Sequence, residues 1–367
     1  MDDRRYERLI GDLEAQAAIN PGAYRLKAIA VSLSAYIVLA LTLILLAIAF
    51  YWIATHLWSQ KSLMVKLIIL SSVFPLLSVF YIAIRTLSMR LEAAPGIELS
   101  ERDAPKLFKL LAKIRQKLDG PPIHRVVVTP EYNAAIQQIP RFGFFGGYRN
   151  HLIIGLPLAY SLSGSELAGV IAHEYGHLSG SHGKLSSWIY RQRRTFGALM
   201  RHAGGRVEEN WLHQALYAAL EKFAPYYNAI TFVLSRQNEY EADAAAASVV
   251  GSQRFISGLT RTDLLGGWLA ESFWPKLYQQ ANHRETPLFM PFSSMPTAFR
   301  AGFDEWNTSD RLKAAWKVNS GLLDTHPCLR ERVEAQDGKC VQPEPIKESA
   351  ADTYLGTLAG ELAKRMD

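Results

Sequence analysis

Charge disappears from the chain early. From Ala28 to Thr55 no Asp, Glu, Lys or Arg interrupts an apolar run. That run exceeds the roughly 20 residues a membrane-spanning helix needs. Tyr51, Trp52 and Trp58 sit near its far end, where amphipathic aromatics favour the membrane interface. A second uncharged run, Leu67 to Ile84, is close to the minimum spanning length, and Pro75 would kink it. The pattern predicts a transmembrane hairpin over residues 28–90, with spans at about 28–55 and 66–85. Arg4, Arg5, Arg8, Arg25 and Lys27 precede the first span, and Arg85 and Arg90 follow the second. Lys61 and Lys66 belong to the short connection. Positive charge accumulates on the cytoplasmic side, so both termini are expected there, with residues 1–27 as a cytoplasmic segment.

From Leu91 onward the pattern changes to mixed helix and strand. Ala104 to Leu118 repeats apolar residues at helical spacing and stops at Gly120-Pro121-Pro122. Short strands are expected at Val126–Val128, Ala134–Ile139 and His151–Ile154. The glycine-rich stretch Phe142–Gly147 lacks the context of a nucleotide loop and reads as a turn. Ser163 and Glu166 form a capping-box pattern that opens a helix running through LAGVIAHEYGHLSG, with Gly180 as the stop. Arg191, Arg193, Arg194, Arg201 and Arg206 read as a solvated face, with lipid head groups as the functional option. Phe223–Leu234 is too short to span a bilayer and leads directly into SRQNEYEADAAAASVV. The aromatic stretch from Trp268 to Phe299 is expected to pack, with a cleft wall as the sharper option. A last helix near Ala350–Met366 would dock through Tyr354, Leu355, Leu358 and Leu362. The fold class is therefore α+β, mainly helical, with a main domain over 91–340 and a C-terminal helix over 341–367.

Composition adds little but excludes some classes. The net charge of +6 suits an anionic membrane face, and without a nucleic-acid motif it does not indicate a nucleic-acid partner. Two cysteines, Cys328 and Cys340, form neither a disulfide framework nor a CxxC metal site.

The chemistry sits in two helical segments. His173 and His177 stand four residues apart, so a helix puts both imidazoles on one face, as adjacent corners of a zinc site. Glu174 can reach an activated water as general base. Gly176 would leave room beside the metal, and Tyr175 would face the core. A catalytic zinc needs a third protein ligand and an open position. Glu239 on the second segment would complete a His₂Glu set. Asp243, one turn on, can accept from the far nitrogen of a ligating histidine, whereas Glu241 points away.

With these residues in place, the sequence resembles the integral-membrane zinc metallopeptidases that include the heat-shock protease HtpX and the type I CAAX prenyl endopeptidase. The shared motifs are His173–His177, Ser235–Asp243 and Thr325-His326-Pro327, in order, and the resemblance runs from about Asn133 to Arg332. It implies a gluzincin domain holding one Zn2+ on His173, His177 and Glu239, with Glu174 as base and Asp243 behind a ligand. It implies that His326 stabilises the oxyanion, and that Asn133 and Ala134 begin an edge strand that pairs with extended peptide. Relatives often carry further spans between the zinc helices, and the charged interval here does not. The expected function is a metalloendopeptidase of the bacterial inner (plasma) membrane, acting on protein or peptide substrates on the cytoplasmic side of the lipid bilayer. The alternatives are a membrane adaptor with a structural zinc site and a zinc hydrolase of a non-peptide amide.

Overall fold

The computed structural model describes residues 3–59, 61–67, 93–141, 147–179, 211–280, 282–321, 326–339 and 341–367, with isolated positions between them. Most of the second apolar run, the glycine-rich turn at 142–146, Gly180, most of the arginine run, Thr325 and Cys340 lie outside the described residues. The chain divides into two compact units. One contains Met1–Leu91, Pro140–Gly147 and Trp188–Leu234; the other contains Glu92–Ile139, Tyr148–Ser187 and Ser235–Asp367.

In the first unit, α1 (Asp3–Ile19) and α2 (Pro21–Ser59) follow almost without a break. The Asn20 side chain accepts the Ala23 N–H at 3.0 Å, and Pro21 takes the first helical position, where its missing N–H costs nothing. Ile10, Leu13 and Ala17 recur at helical spacing and are buried, as are Tyr24 and Ala28. The Tyr24 hydroxyl donates to the Ile230 carbonyl at 2.7 Å. Helix α2 contains the whole uncharged segment Ala28–Thr55. Its Leu33, Ile37, Leu41, Ile44, Leu45 and Ile48 are all exposed. Among the described residues no helix is long and apolar enough to cross a membrane, and several α2 side chains between 35 and 58 lie outside that set.

The second unit is built on a four-stranded sheet ordered β1-β2-β4-β3. The strands are β1 (Ile97–Leu99), β2 (Arg125–Thr129), β3 (Ala134–Pro140) and β4 (Tyr148–Gly155). β1 and β2 are antiparallel, β2 and β4 parallel, and β3 lies at an edge. Alternate residues Val126, Val128, Leu152, Ile154 and Ile136 enter the core. The three expected strands all form; β1, at three residues, is too short to carry a readable period.

Helix α3 (Pro105–Leu118) buries Leu107, Leu111 and Ile114. The left-handed residue that ends it is Asp119, at φ 46°, not Gly120. Gly120 answers a different need: a Cβ there would fall 2.2 Å from the Tyr175 ring. Helices α4 (Leu156–Ser161) and α5 (Gly164–Gly176) follow β4. Both halves of the predicted capping box form, Ser163 to the Glu166 N–H and Glu166 to the Ser163 N–H. Glu166 also pairs with buried Arg261 at 3.1 Å. The cap is thereby tied to the packing of α5 against a later helix.

Helix α6 runs from Trp211 to Val250 with Pro225 inside it. Its residues from Ser235 on belong to the second unit. Helix α7 (Ser252–Trp268) continues through a π turn, Leu269–Phe273, into α8 (Trp274–Gln280), and α9 (Pro291–Trp306) packs on α7. Trp268, Phe273, Phe292, Phe299 and Trp306 are buried in the main core, so much of the aromatic segment is packing. After α10 (Ser309–Lys317) and α11 (Leu329–Glu334), the C-terminal region forms two helices, α12 (Ala350–Leu355) and α13 (Thr357–Met366). Gly356, at φ 57°, breaks what the periodicity reads as one helix. Tyr354, Leu355, Leu358 and Leu362 pack on the core as expected.

Candidate active site

The HEYGH residues occupy the last turn of α5, with His177 as its C-cap and still in helical conformation. Tyr175, on the opposite side, is fully buried, and its hydroxyl donates to the Pro121 carbonyl. That contact and the close seat at Gly120 fix the roll of the helix and thus the direction of the histidines.

Helix α6 brings Glu239 and Asp243 to the same place. His173 Nε2 lies 3.3 Å from His177 Nε2 and 3.5 Å from Glu239 Oε2. His177 Nε2 lies 3.5 Å from Glu239 Oε1. Corners of a tetrahedron about 2.0–2.1 Å from its centre, the zinc–imidazole distance, stand roughly 3.3–3.4 Å apart. These donors therefore already have the mutual spacing that one tetrahedral ion requires. His173, Glu239 and His326 also offer ligand atoms within 4.8 Å of one another and could hold a metal. His326 Nδ1, however, is 2.6 Å from Glu239 Oε2, a hydrogen-bond distance too short for two corners of one coordination shell. The tighter set is His173, His177 and Glu239.

Gly176 makes this convergence possible, though not by leaving room at the metal. A Cβ on Gly176 would meet Ala242 Cα at 2.9 Å and the Ala242 and Ala245 methyls at 3.2 Å. The glycine is where α5 and α6 cross, and small residues on both sides let the ligand-bearing helices approach. Glu241 is exposed, away from the cluster.

Behind the ligands, Asp243 is fully buried and accepts from His173 Nδ1 at 2.8 Å. Arg332 grips the same carboxylate with two nitrogens, at 2.6 and 2.9 Å. Burial alone would raise the Asp243 carboxyl, but the Arg332 and His173 contacts outweigh it and hold it below its ordinary range. Burial lowers His173, yet hydrogen bonds to Asp243 and Glu239 prevail and lift it to about 9. Burial and the neighbouring His173 push His177 down to about 4. Burial also opposes ionisation of Glu239, but its histidine partners reverse this and pull it well below the usual carboxylate range.

Glu174 is half-buried beside this group. Burial raises its carboxyl, as does nearby Glu239, while the Ile136 backbone on β3 hydrogen-bonds to it and works the other way. The β3 edge is thus in contact with Glu174. Of its first two predicted residues, Asn133 is exposed and its carbonyl accepts the Gly155 N–H at 2.7 Å, while Ala134 is buried. His326 has an exposed ring (59%) even though its Nδ1 engages Glu239. Arg332 had no role from the pattern alone. The sequence shows only an acidic Asp243 set among alanines, which calls for a compensating charge without saying where along the chain it lies.

The sequence profile of peptidase family M48 matches residues 143–339. The chain belongs to peptidase family M48. The M48 match includes every residue of the cluster; Asn133 and Ala134 precede it. The chain is 28% identical over 170 residues to Protease HtpX homolog of Gemmatimonas aurantiaca, covering 45% of this chain and 59% of that protein. It is 26% identical over 192 residues to Protease HtpX of Idiomarina loihiensis, covering 48% and 64%. The alignments thus span less than two thirds of these relatives' own lengths. No solved structure matches the chain.

Proposed function

We propose that this M48 member is a membrane-anchored zinc metalloendopeptidase. The observation that carries the reading is the near-equilateral spacing of His173 Nε2, His177 Nε2 and Glu239, at 3.3–3.5 Å, with Glu174 one residue from the first ligand. Two imidazoles and one carboxylate are a borderline-soft donor set that suits zinc, and they leave a fourth position to substrate or water. When bound, zinc supplies Lewis acidity that makes water nucleophilic near neutral pH.

The chain's own residues supply the rest. Asp243 fixes the tautomer of His173 by taking its Nδ1–H, so that Nε2 presents its lone pair. Arg332 keeps Asp243 charged in a buried place. Glu174, with its carboxyl raised by burial, takes the proton of the attacking water and passes it to the leaving amine. The β3 edge next to Glu174 would hold an extended peptide by strand addition, starting at Asn133 and Ala134. His326 donates to the oxyanion from the ring nitrogen that does not meet Glu239.

The anchor is α2. A continuous helix whose Leu and Ile side chains are exposed over several turns matches a lipid environment better than water. The lysine and arginine bias around it favours a cytoplasmic catalytic unit in a bacterial inner membrane.

The test is paired. Full-length protein and Glu174→Gln are purified, their zinc is measured, and cleavage of an unfolded protein is followed. One zinc in both, with cleavage only by the native chain, is the expected result. Equal cleavage, or none by either, defeats the protease reading. A reporter fused after Asp367 that reads as non-cytoplasmic defeats the orientation.

A further inference from the structure

We infer that Ser320 is a positioning residue for His326, acting together with Glu331. This rests on the proposed role of His326 as an oxyanion donor.

His326 lies on the connection between α10 and α11, and its ring is largely exposed. An exposed side chain on a connection needs something to hold it in a single place. The two flanks of this connection are stitched together. The Cys328 N–H donates to Ser320 Oγ at 2.7 Å. The Ser320 hydroxyl in turn donates to Glu331 Oε2 at 2.9 Å. A second tie lies alongside, from Arg330 to Asn319 Oδ1 at 2.8 Å. The stitched flanks also lie against the metal-ligand helix, where the Tyr240 hydroxyl points at the same Glu331 oxygen at a long 3.4 Å.

Tyr240 is the residue after Glu239, and Glu239 is the residue that His326 touches. The path Glu239–Tyr240–Glu331–Ser320–Cys328 therefore starts at a proposed metal ligand and ends two residues from His326. Its central atom is one hydroxyl that accepts and donates at once. Only serine and threonine place such a group that close to the backbone. Alanine removes both bonds together. The flank is then released from Glu331, and His326 loses its fixed distance to the reacting carbonyl. Misplacement by about 1 Å is enough to cost on the order of 100-fold in rate.

The test uses zinc-loaded full-length protein in detergent micelles, with labelled casein as the unfolded substrate. The variants are His326→Ala, Ser320→Ala, Ser320→Thr, Glu331→Gln and the double variant Ser320→Ala/His326→Ala. Zinc content and thermal unfolding are measured for each. His326→Ala is expected to lower kcat about 100-fold. Ser320→Ala should lower kcat about 10- to 100-fold, with KM and zinc content held. Ser320→Thr should restore most of that loss. In the His326→Ala background, Ser320→Ala should cost nothing further, because its effect passes through the imidazole. A Ser320→Ala loss that persists undiminished without His326 overturns the positioning role, as does an unchanged kcat or a failure of threonine to rescue. If Ser320→Ala loses zinc or unfolds, Glu331→Gln takes its place under the same criteria. Full kcat in His326→Ala instead removes the oxyanion reading itself, a result distinct from additivity.

Discussion

Two isoleucines on two helices divide this molecule. Ile171, two residues before the first histidine of α5, is completely buried. Ile44, in the middle of α2, is 54% exposed. Both helices are rich in apolar residues; α5 buries most of its own in protein, whereas α2 covers Tyr24, Ala28 and Ile53 but leaves six leucines and isoleucines between 33 and 48 exposed. The second unit encloses its large side chains between a sheet and several helices. Helix α2 presents leucine and isoleucine outward over several turns. Hydrophobicity alone does not say what covers a side chain; the match between apolar faces and available partners does. On the function proposed above, the second unit holds the chemistry and α2 holds the address.

The sharpest way to separate the two is Glu174→Gln. It should lower kcat about 1000-fold while zinc content and membrane retention stay as they were, read by casein cleavage and by membrane sedimentation. Next, Ile171→Ala should destabilise the second unit by about 2–5 kcal/mol in urea unfolding, because it opens a cavity in a packed core. The same change at Ile44 should leave urea unfolding of that unit unmoved. Placing a charge reverses the order: Ile44→Arg should cost about 2.5–3.5 kcal/mol in membrane insertion, seen as loss of membrane-fraction protein, with zinc content of the remainder intact. If Ile44→Arg protein stays fully in the membrane fraction, α2 is not the anchor.

Smaller effects probe the support behind the metal. Asp243→Asn should weaken zinc affinity about 10- to 100-fold, measured by competition with a chromogenic chelator. The Asp243 carboxyl is held below its ordinary value by Arg332 and His173. Its contribution to stability is therefore fully present above the ordinary carboxylate value of about 4 and is lost as pH falls through the lowered value. Acid unfolding of the zinc-free protein should show this low-pH loss, and Arg332→Met should move it to higher pH.

Local features were well marked in the sequence. The strands, the capping box, the helical spacing of His173 and His177 and the pairing of Glu239 with Asp243 all follow from short-range periodicity. What was not legible depends on contacts between distant segments. Gly176 read as space for a metal because its partner, Ala242, lies on another helix. Gly120 read as a helix stop because Tyr175 is far along the chain. The Arg332 grip on Asp243 joins residues with no common period. The C-terminal region read as one helix because its apolar spacing continues across Gly356, while backbone handedness does not.

The close crossing of Gly176 on Ala242 carries a further consequence. It makes the distance between the histidine pair and Glu239 a property of two touching helix faces, not of the chain that joins them. The interval from Ser179 to Asn238 can lengthen, shorten or change character without moving a ligand, as long as both faces keep their small residues. Architecture at the metal and architecture between the two helices are thus free to evolve apart.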